Sequence, residues 1–101
     1  MNYNDLLQKI KNSGVSLTEF AYEDVSKEIR KEIGEWKEIQ QHGGEGEGSD
    51  WYSVKHFSEH DIYIKVSGHY TSFNGTDFDG FDDACSEVKP VEKKVTFYEA
   101  I

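Results

Sequence analysis

Residues 50–66 read DWYSVKHFSEHDIYIKV. Two runs rich in β-branched and aromatic side chains, Asp50 to Phe57 and Ile62 to Val66, flank the polar tetrapeptide Ser58-Glu59-His60-Asp61. Stiff β-branched side chains and large rings suit a pleated surface, so the stretch predicts a hairpin with a longer turn. Alternation assigns Val54, Ile62, Ile64 and Val66 to a core face, and Trp51, Phe57 and Tyr63 to the opposite face.

The same reading extends outward. Gly68 to Phe73 adds a third run, Asn74-Gly75 is a hairpin-turn signal, Pro90 marks a turn, and Lys94 to Tyr98 (KVTFY) forms a last strand. Val95 and Phe97 would join the core face, with His69, Thr71 and Tyr98 opposite. Upstream, Trp36 to Gln41 predicts a first strand, and GGEGEGS from Gly43 to Ser49 is too glycine-rich and charged to be other than a loop. Before Gly34 the period is helical. Leu6, Leu7 and Ile10 mark a short helix over Asn4 to Asn12, stopped by Asn12, Ser13 and Gly14. Ser16 and Glu19 have capping-box spacing, and Leu17, Phe20, Ala21, Val25, Ile29 and Ile33 follow at steps of three and four. This second helix, broken near Asp24, should end at Gly34, with Glu23 and Lys27 paired on its outer face. The expected architecture is α+β: one domain over residues 1–101, helical to 34, with N-terminal helices packed on one face of a four- to five-stranded antiparallel meander sheet.

The chain has 101 residues, enough for a single core. Two Trp, six Tyr and six Phe favour a folded chain despite 31% charged residues. The one cysteine, Cys85, excludes an intramolecular disulfide, and no apolar stretch has the length of a membrane span or signal peptide. A cytoplasmic setting is expected. Twenty Asp and Glu against eleven Lys and Arg give a net charge of −9. That opposes nucleic acid and anionic membranes as direct partners and favours a basic protein, a metal ion or a cationic ligand.

Complete catalytic motifs are missing. His56, His60 and Asp61 form an HxxxHD pattern, but across a predicted turn rather than on one helical face, so they are weak metal candidates; with His69 and nearby carboxylates they define an alternative metal- or ligand-binding reading. Asp77, Asp79, Asp82 and Asp83 resemble a calcium loop in composition but lack its terminal bidentate Glu. Cys85 has no basic neighbour nearer than Lys89. GGEGEGS has no following Lys and its glutamates would repel phosphate. No cofactor and no enzymatic activity are inferred. The remaining signal is acidity among aromatics. Glu28, Glu32 and Glu35, the four aspartates from Asp77 to Asp83, and the rings of Trp51, Tyr63 and Tyr98 are the expected partner-binding residues. An uncovered ring-bearing face would also favour a homodimer.

The stretch GGEGEGSDWYSVKHFSEHDIYIKVSGHYTSFNGTDF, followed by EVKP and KVTFYE, resembles a recurrent pattern in small proteins of bacteriophages and prophages, over residues 34 to 99. The resemblance implies a setting, a phage-type protein expressed inside a bacterium, and brings no site residues with it. Together with the acidity it leads to the expectation of a non-catalytic inhibitor of anti-defence type, one that occludes a basic surface of a host nucleic-acid-binding or defence enzyme.

Overall fold

The structure, a computed structural model, describes residues 1–43, 49–71, 75–91 and 98–101. Helix α1 spans Tyr3–Asn12 and opens on a capping box in which Asn2 and Asp5 satisfy each other's backbone N–H groups. Its apolar stripe, Leu6, Leu7 and Ile10, is buried. Helix α2 (Leu17–Ala21) begins with the capping box of Ser16 and Glu19 read from the sequence. The helical run then breaks. Tyr22 caps α2, Glu23 takes a left-handed backbone conformation (φ 62°), and Ser26 caps a new helix α3 (Lys27–Ile33) by accepting from the Ile29 N–H. The break near Asp24 was legible; the surface pair of Glu23 with Lys27 is not formed, because the two residues no longer share a helix.

Among the described residues, strands β1 (Lys37–His42), β2 (Ser49–Phe57), β3 (Ile62–Thr71), β4 (Gly75–Asp77) and β5 (Cys85–Val88) form one five-stranded antiparallel sheet. The fold is therefore the expected α+β class. β1 to β4 follow in meander order, and β5 returns to pair with β3 on the edge that β4 also uses. Ser67 and Gly68 of β3 stand opposite the seven residues 78–84, so β4 and β5 act as one edge strand interrupted by an excursion that contains the short helix α4 (Phe81–Ala84). Phe78 and Phe81 carry the excursion back onto the core.

Two expectations are corrected here. Ile62 to Val66 and Gly68 to Phe73 were read as separate runs, whereas β3 is continuous through Gly68. The region between Phe78 and Pro90, to which the sequence pattern assigns no helix or strand, holds α4 and β5. The turn residue Asn74 and most of the proposed last strand, Lys94 to Phe97, lie outside the described residues, and Tyr98 carries no strand assignment.

The face assignment of β2 also changes. β2 pairs with β3 in the register Trp51↔Gly68, Ser53↔Val66, Lys55↔Ile64 and Phe57↔Ile62, and directly paired residues share a side. Trp51 (4% exposed) and Phe57 (1%) therefore point at the helices, with Ser53 and Lys55 between them, while Val54 belongs to the opposite face. Phe20 meets Trp36 edge-on at 5.5 Å and Trp36 lies 5.2 Å from Phe57. Such pairs add roughly 0.5–1.5 kcal/mol each beyond their buried area.

Gly68 tests this packing. A Cβ there would lie 2.6 Å from the Asp77 carbonyl oxygen and 2.8 Å from the Phe78 ring. Gly68→Ala should cost about 1–3 kcal/mol in urea unfolding, since overpacking forces backbone to move. Gly80→Ala, where no heavy atom comes within 4 Å, should stay within about 0.5 kcal/mol of the parent.

Candidate partner-binding surface

The helix-facing side of the sheet is closed by a polar cluster around Lys55, whose side chain is 0% exposed. Its Nζ donates to the Ala21 carbonyl and to Ser53 Oγ, each at 3.0 Å, and Ser53 Oγ donates to Glu38 Oε2 at 3.0 Å. The carboxylates of Glu23 and Glu38 lie 3.7 and 3.6 Å from Nζ. Glu23 reaches this point because of the α2–α3 break, and its Oε2 accepts from Trp36 Nε1 (2.6 Å) and from Arg30 (3.4 Å). The Arg30 guanidinium stacks 3.9 Å above the Trp36 ring and donates to the Trp36 carbonyl at 2.5 Å. Two cations and two anions balance, and no buried side-chain N or O among the described residues lacks a hydrogen-bond partner. Burial pushes the Lys55 ammonium below its ordinary pKa, against the pull of Glu23 and Glu38. With its donors spent and no surface exposed, this amine meets no substrate; it holds helices to sheet.

The opposite face carries no packed helix among the described residues. Cross-strand neighbours there stack on one another: His56 on Tyr63 (4.1 Å between centroids), His42 on Tyr52 (5.2 Å), and the Lys65 ammonium 4.5 Å above Tyr52. Between β1 and the chain leaving β5 runs a groove of about 610 Å³, floored by Tyr52, Val54, Tyr63 and Lys65. Of the rings expected on this side, Trp51 and Phe57 lie in the core and Tyr63 alone of the three is here, joined by Tyr52.

The third surface is the edge from β4 to β5. Between Lys65 and Lys89 the sequence has no Lys or Arg, and Asp77, Asp79, Asp82, Asp83 and Glu87 all project from this edge, exposed. Of the four aspartates, Asp82 alone has an ion pair among the described residues, 2.6 Å from Lys11 Nζ on α1. Beside Asp77 the Tyr22 ring is 46% exposed; its hydroxyl bonds Thr76, and it packs edge-on against Trp51 (5.1 Å) and Phe78 (6.3 Å).

The sequence-derived partner residues thus divide among separate places. Asp77, Asp79, Asp82 and Asp83 share one edge. Glu28 and Glu32 are exposed on α3 and Glu35 follows it, among Lys27, Lys31 and Lys37. Tyr63 lies on the open face, and Tyr98 is exposed near the C-terminal end. Trp51 is buried and offers no ring to a partner. Tyr22 was not foreseen, since its exposure follows from the position after α2, which the helical pattern alone does not reveal.

The histidines do not converge. His56 Nε2 lies 2.9 Å from Asp61 Oδ1, His60 lies 4.0 Å from Glu59, and His69 sits six residues beyond Tyr63 along β3, roughly 20 Å away at strand spacing. No group of three His, Cys, Asp or Glu able to hold a metal ion occurs among the described residues. Cys85 is buried, and burial pushes its thiol up to about 12, so at neutral pH it is not a thiolate. No helix among the described residues is long and apolar enough to cross a membrane. No protein-family model, curated protein or solved structure matches the chain.

Two outcomes follow from this geometry. Lys55→Met should lower stability by about 2–4 kcal/mol, toward the smaller value because both carboxylates keep some contact with water, and adding Glu38→Gln should restore about 1 kcal/mol. Chemical denaturation of the single and double variants measures both. The Cys85 thiol should react with a disulfide reagent at pH 8 at least about a hundredfold more slowly in the native protein than in urea. Because the folded chain holds this proton to higher pH than the unfolded chain, its contribution is complete below about pH 9 and is lost as pH rises toward about 12. Cys85→Ala should therefore flatten the alkaline fall in stability, by up to about 1.4 kcal/mol per pH unit.

Proposed function

We propose that this chain is a non-catalytic acidic binding protein of phage type, which acts inside a bacterial host cell by covering a basic surface of a nucleic-acid-binding or defence enzyme. One observation carries the reading: the edge from Asp77 to Glu87 presents five carboxylates with no basic residue between them, and Lys11 pairs with just one of its aspartates. Carboxylates without partners keep their hydration and their field, so they steer a basic surface toward this edge. The half-exposed Tyr22 supplies what charge alone lacks, an aromatic anchor beside the carboxylates whose position is fixed by Thr76, Trp51 and Phe78.

Binding on these terms is occlusion, with fast encounter and strong salt dependence. Duplex DNA sets one charge per ~1.7 Å of its axis, a density this edge reaches only locally, so it would compete with nucleic acid at one patch rather than along a groove. The α3 carboxylates support the reading less, since Lys27 and Lys31 interleave them.

The test is affinity capture from bacterial lysate at low and high salt, with three forms of the protein. The parent should retain a nucleic-acid-binding or defence enzyme at low salt and lose it at high salt. Asp77→Asn/Asp79→Asn/Asp83→Asn should weaken retention at least about tenfold, whereas Glu28→Gln/Glu32→Gln should change it less than about threefold. Equal retention by the aspartate triple variant, or no retained protein at either salt concentration, would remove the proposal.

A further inference from the structure

We propose that residues 78–84 form a latched strap, which swings off the core while sheet and helices stay folded, and that the ion pair of Lys11 with Asp82 is its latch. The placement of this segment separates it from what holds the fold together. Pairing of β4 with β3 ends at Asp77↔His69 and that of β5 begins at Cys85↔Val66, so no register depends on the residues between. The Lys55 cluster and the rings of Phe20, Trp36 and Phe57 use none of them either.

Within the strap, order comes from its neighbours. α4 is one turn of four residues, and its cap position, Gly80, has no side chain to accept an N–H. Helices so short do not persist in water without packing. Of the seven residues Ala84 alone is buried. Phe78 and Phe81 are partly covered, with Phe78 edge-on to Trp51 at 5.6 Å and to Tyr22 at 6.3 Å. A segment with few buried contacts and a short exposed helix opens at a lower free energy than the whole domain.

The latch comes from α1. Tyr3, Leu7 and Lys11 stand at steps of four and share one side of that helix, and Lys11 Nζ reaches Asp82 Oδ1 at 2.6 Å. The pair lies beside Cys85: burial acts most on that thiol, and the charges of Lys55, Asp82 and Lys11 act next. At the other end of the stripe the Tyr3 phenol is governed first by burial and then by Cys85, Asp82 and Glu87. Opening therefore uncovers Cys85 and the part of Trp51 that Phe78 shields. It also carries away Asp79, Asp82 and Asp83, three of the four aspartates of the edge. A cation that takes Asp82 from Lys11 favours the open form, and by linkage the open form favours that cation.

The experiment follows two reporters in the full chain: labelling of the Cys85 thiol by a neutral disulfide reagent at pH 8, and deuterium exchange of the Ala84 amide, which donates to the Gly80 carbonyl at 2.7 Å. Both should change little between 0 and 1 M urea, whereas exchange of amides in the middle of β2 should be slower and rise steeply with urea. Lys11→Gln and Asp82→Asn should each speed both reporters about two- to fivefold, the range set by an exposed ion pair, and leave β2 exchange unchanged. The double variant should open no faster than either single one. Asp83→Asn, at a carboxylate with no ion pair among the described residues, should change the rates less than about 1.5-fold. Labelling that climbs with urea as steeply as β2 exchange would show that Cys85 is reached by global unfolding alone. Equal rates in the parent and Lys11→Gln would show that the pair is no latch. Either result overturns the proposal, and neither involves a binding partner.

Discussion

The ammonium group of Lys55, sealed from water between helices and sheet, is the constraint around which this fold is arranged. Removing such an ion from water costs several kcal/mol, so the chain must bring compensating oxygens to it. They come from four segments: the end of α2 through the Ala21 carbonyl, the α2–α3 break through Glu23, β1 through Glu38, and β2 itself through Ser53. Glu23 reaches inward only from a left-handed backbone conformation, which a non-glycine residue adopts at a cost of about 1–2 kcal/mol. The break in the helical run is therefore tied to the ion, and Arg30 and Trp36 then brace the carboxylate that the break delivers.

The same ion sets the register of the sheet. The residues of β2 facing the helices are Trp51, Ser53, Lys55 and Phe57, and those facing away include Tyr52, Val54 and His56. Hydrophobicity does not separate these two sets well, so alternation alone pointed to the wrong one, drawn by Val54 toward the aliphatic row of β3. The corrective signal was in the sequence but lay in turn length. Four residues between Phe57 and Ile62 close a hairpin in which those two residues pair and share a side, which places Lys55 opposite Ile64. A slip by one residue would put His56 inward and Lys55 into water, stranding Glu23 and Glu38 beside an apolar wall. A buried charge used this way contributes specificity of register more than net stability.

Local signals were legible where a few neighbouring residues decide the conformation: the Ser16–Glu19 capping box, the stripe of α1, and the aromatic and β-branched run of β2. The edge was not legible, for a physical reason. In DFDGFDD the phenylalanines fit neither a strand nor a helix period, because Phe78 and Phe81 are placed by an excursion between two pieces of one strand. CSEV is a strand through its pairing with β3 rather than through its own propensity. The aspartates themselves were visible as candidates. That they share one edge, while Glu28 and Glu32 sit among lysines and Trp51 lies inside, is a property of topology that no short window contains.

Because the Lys55 cluster is internally balanced, the net charge of −9 belongs to the rest of the molecule. It is not spread evenly: the β4–β5 edge concentrates carboxylates, with no Lys or Arg between Lys65 and Lys89. At physiological ionic strength fields between exposed charges decay over about 8 Å, so carboxylates gathered on one edge act together on a group that comes close to it, whereas those of Glu28 and Glu32 are offset by Lys27 and Lys31 beside them. Acidity spread along a sequence becomes a local field only where topology brings the carboxylates together and leaves the cations elsewhere.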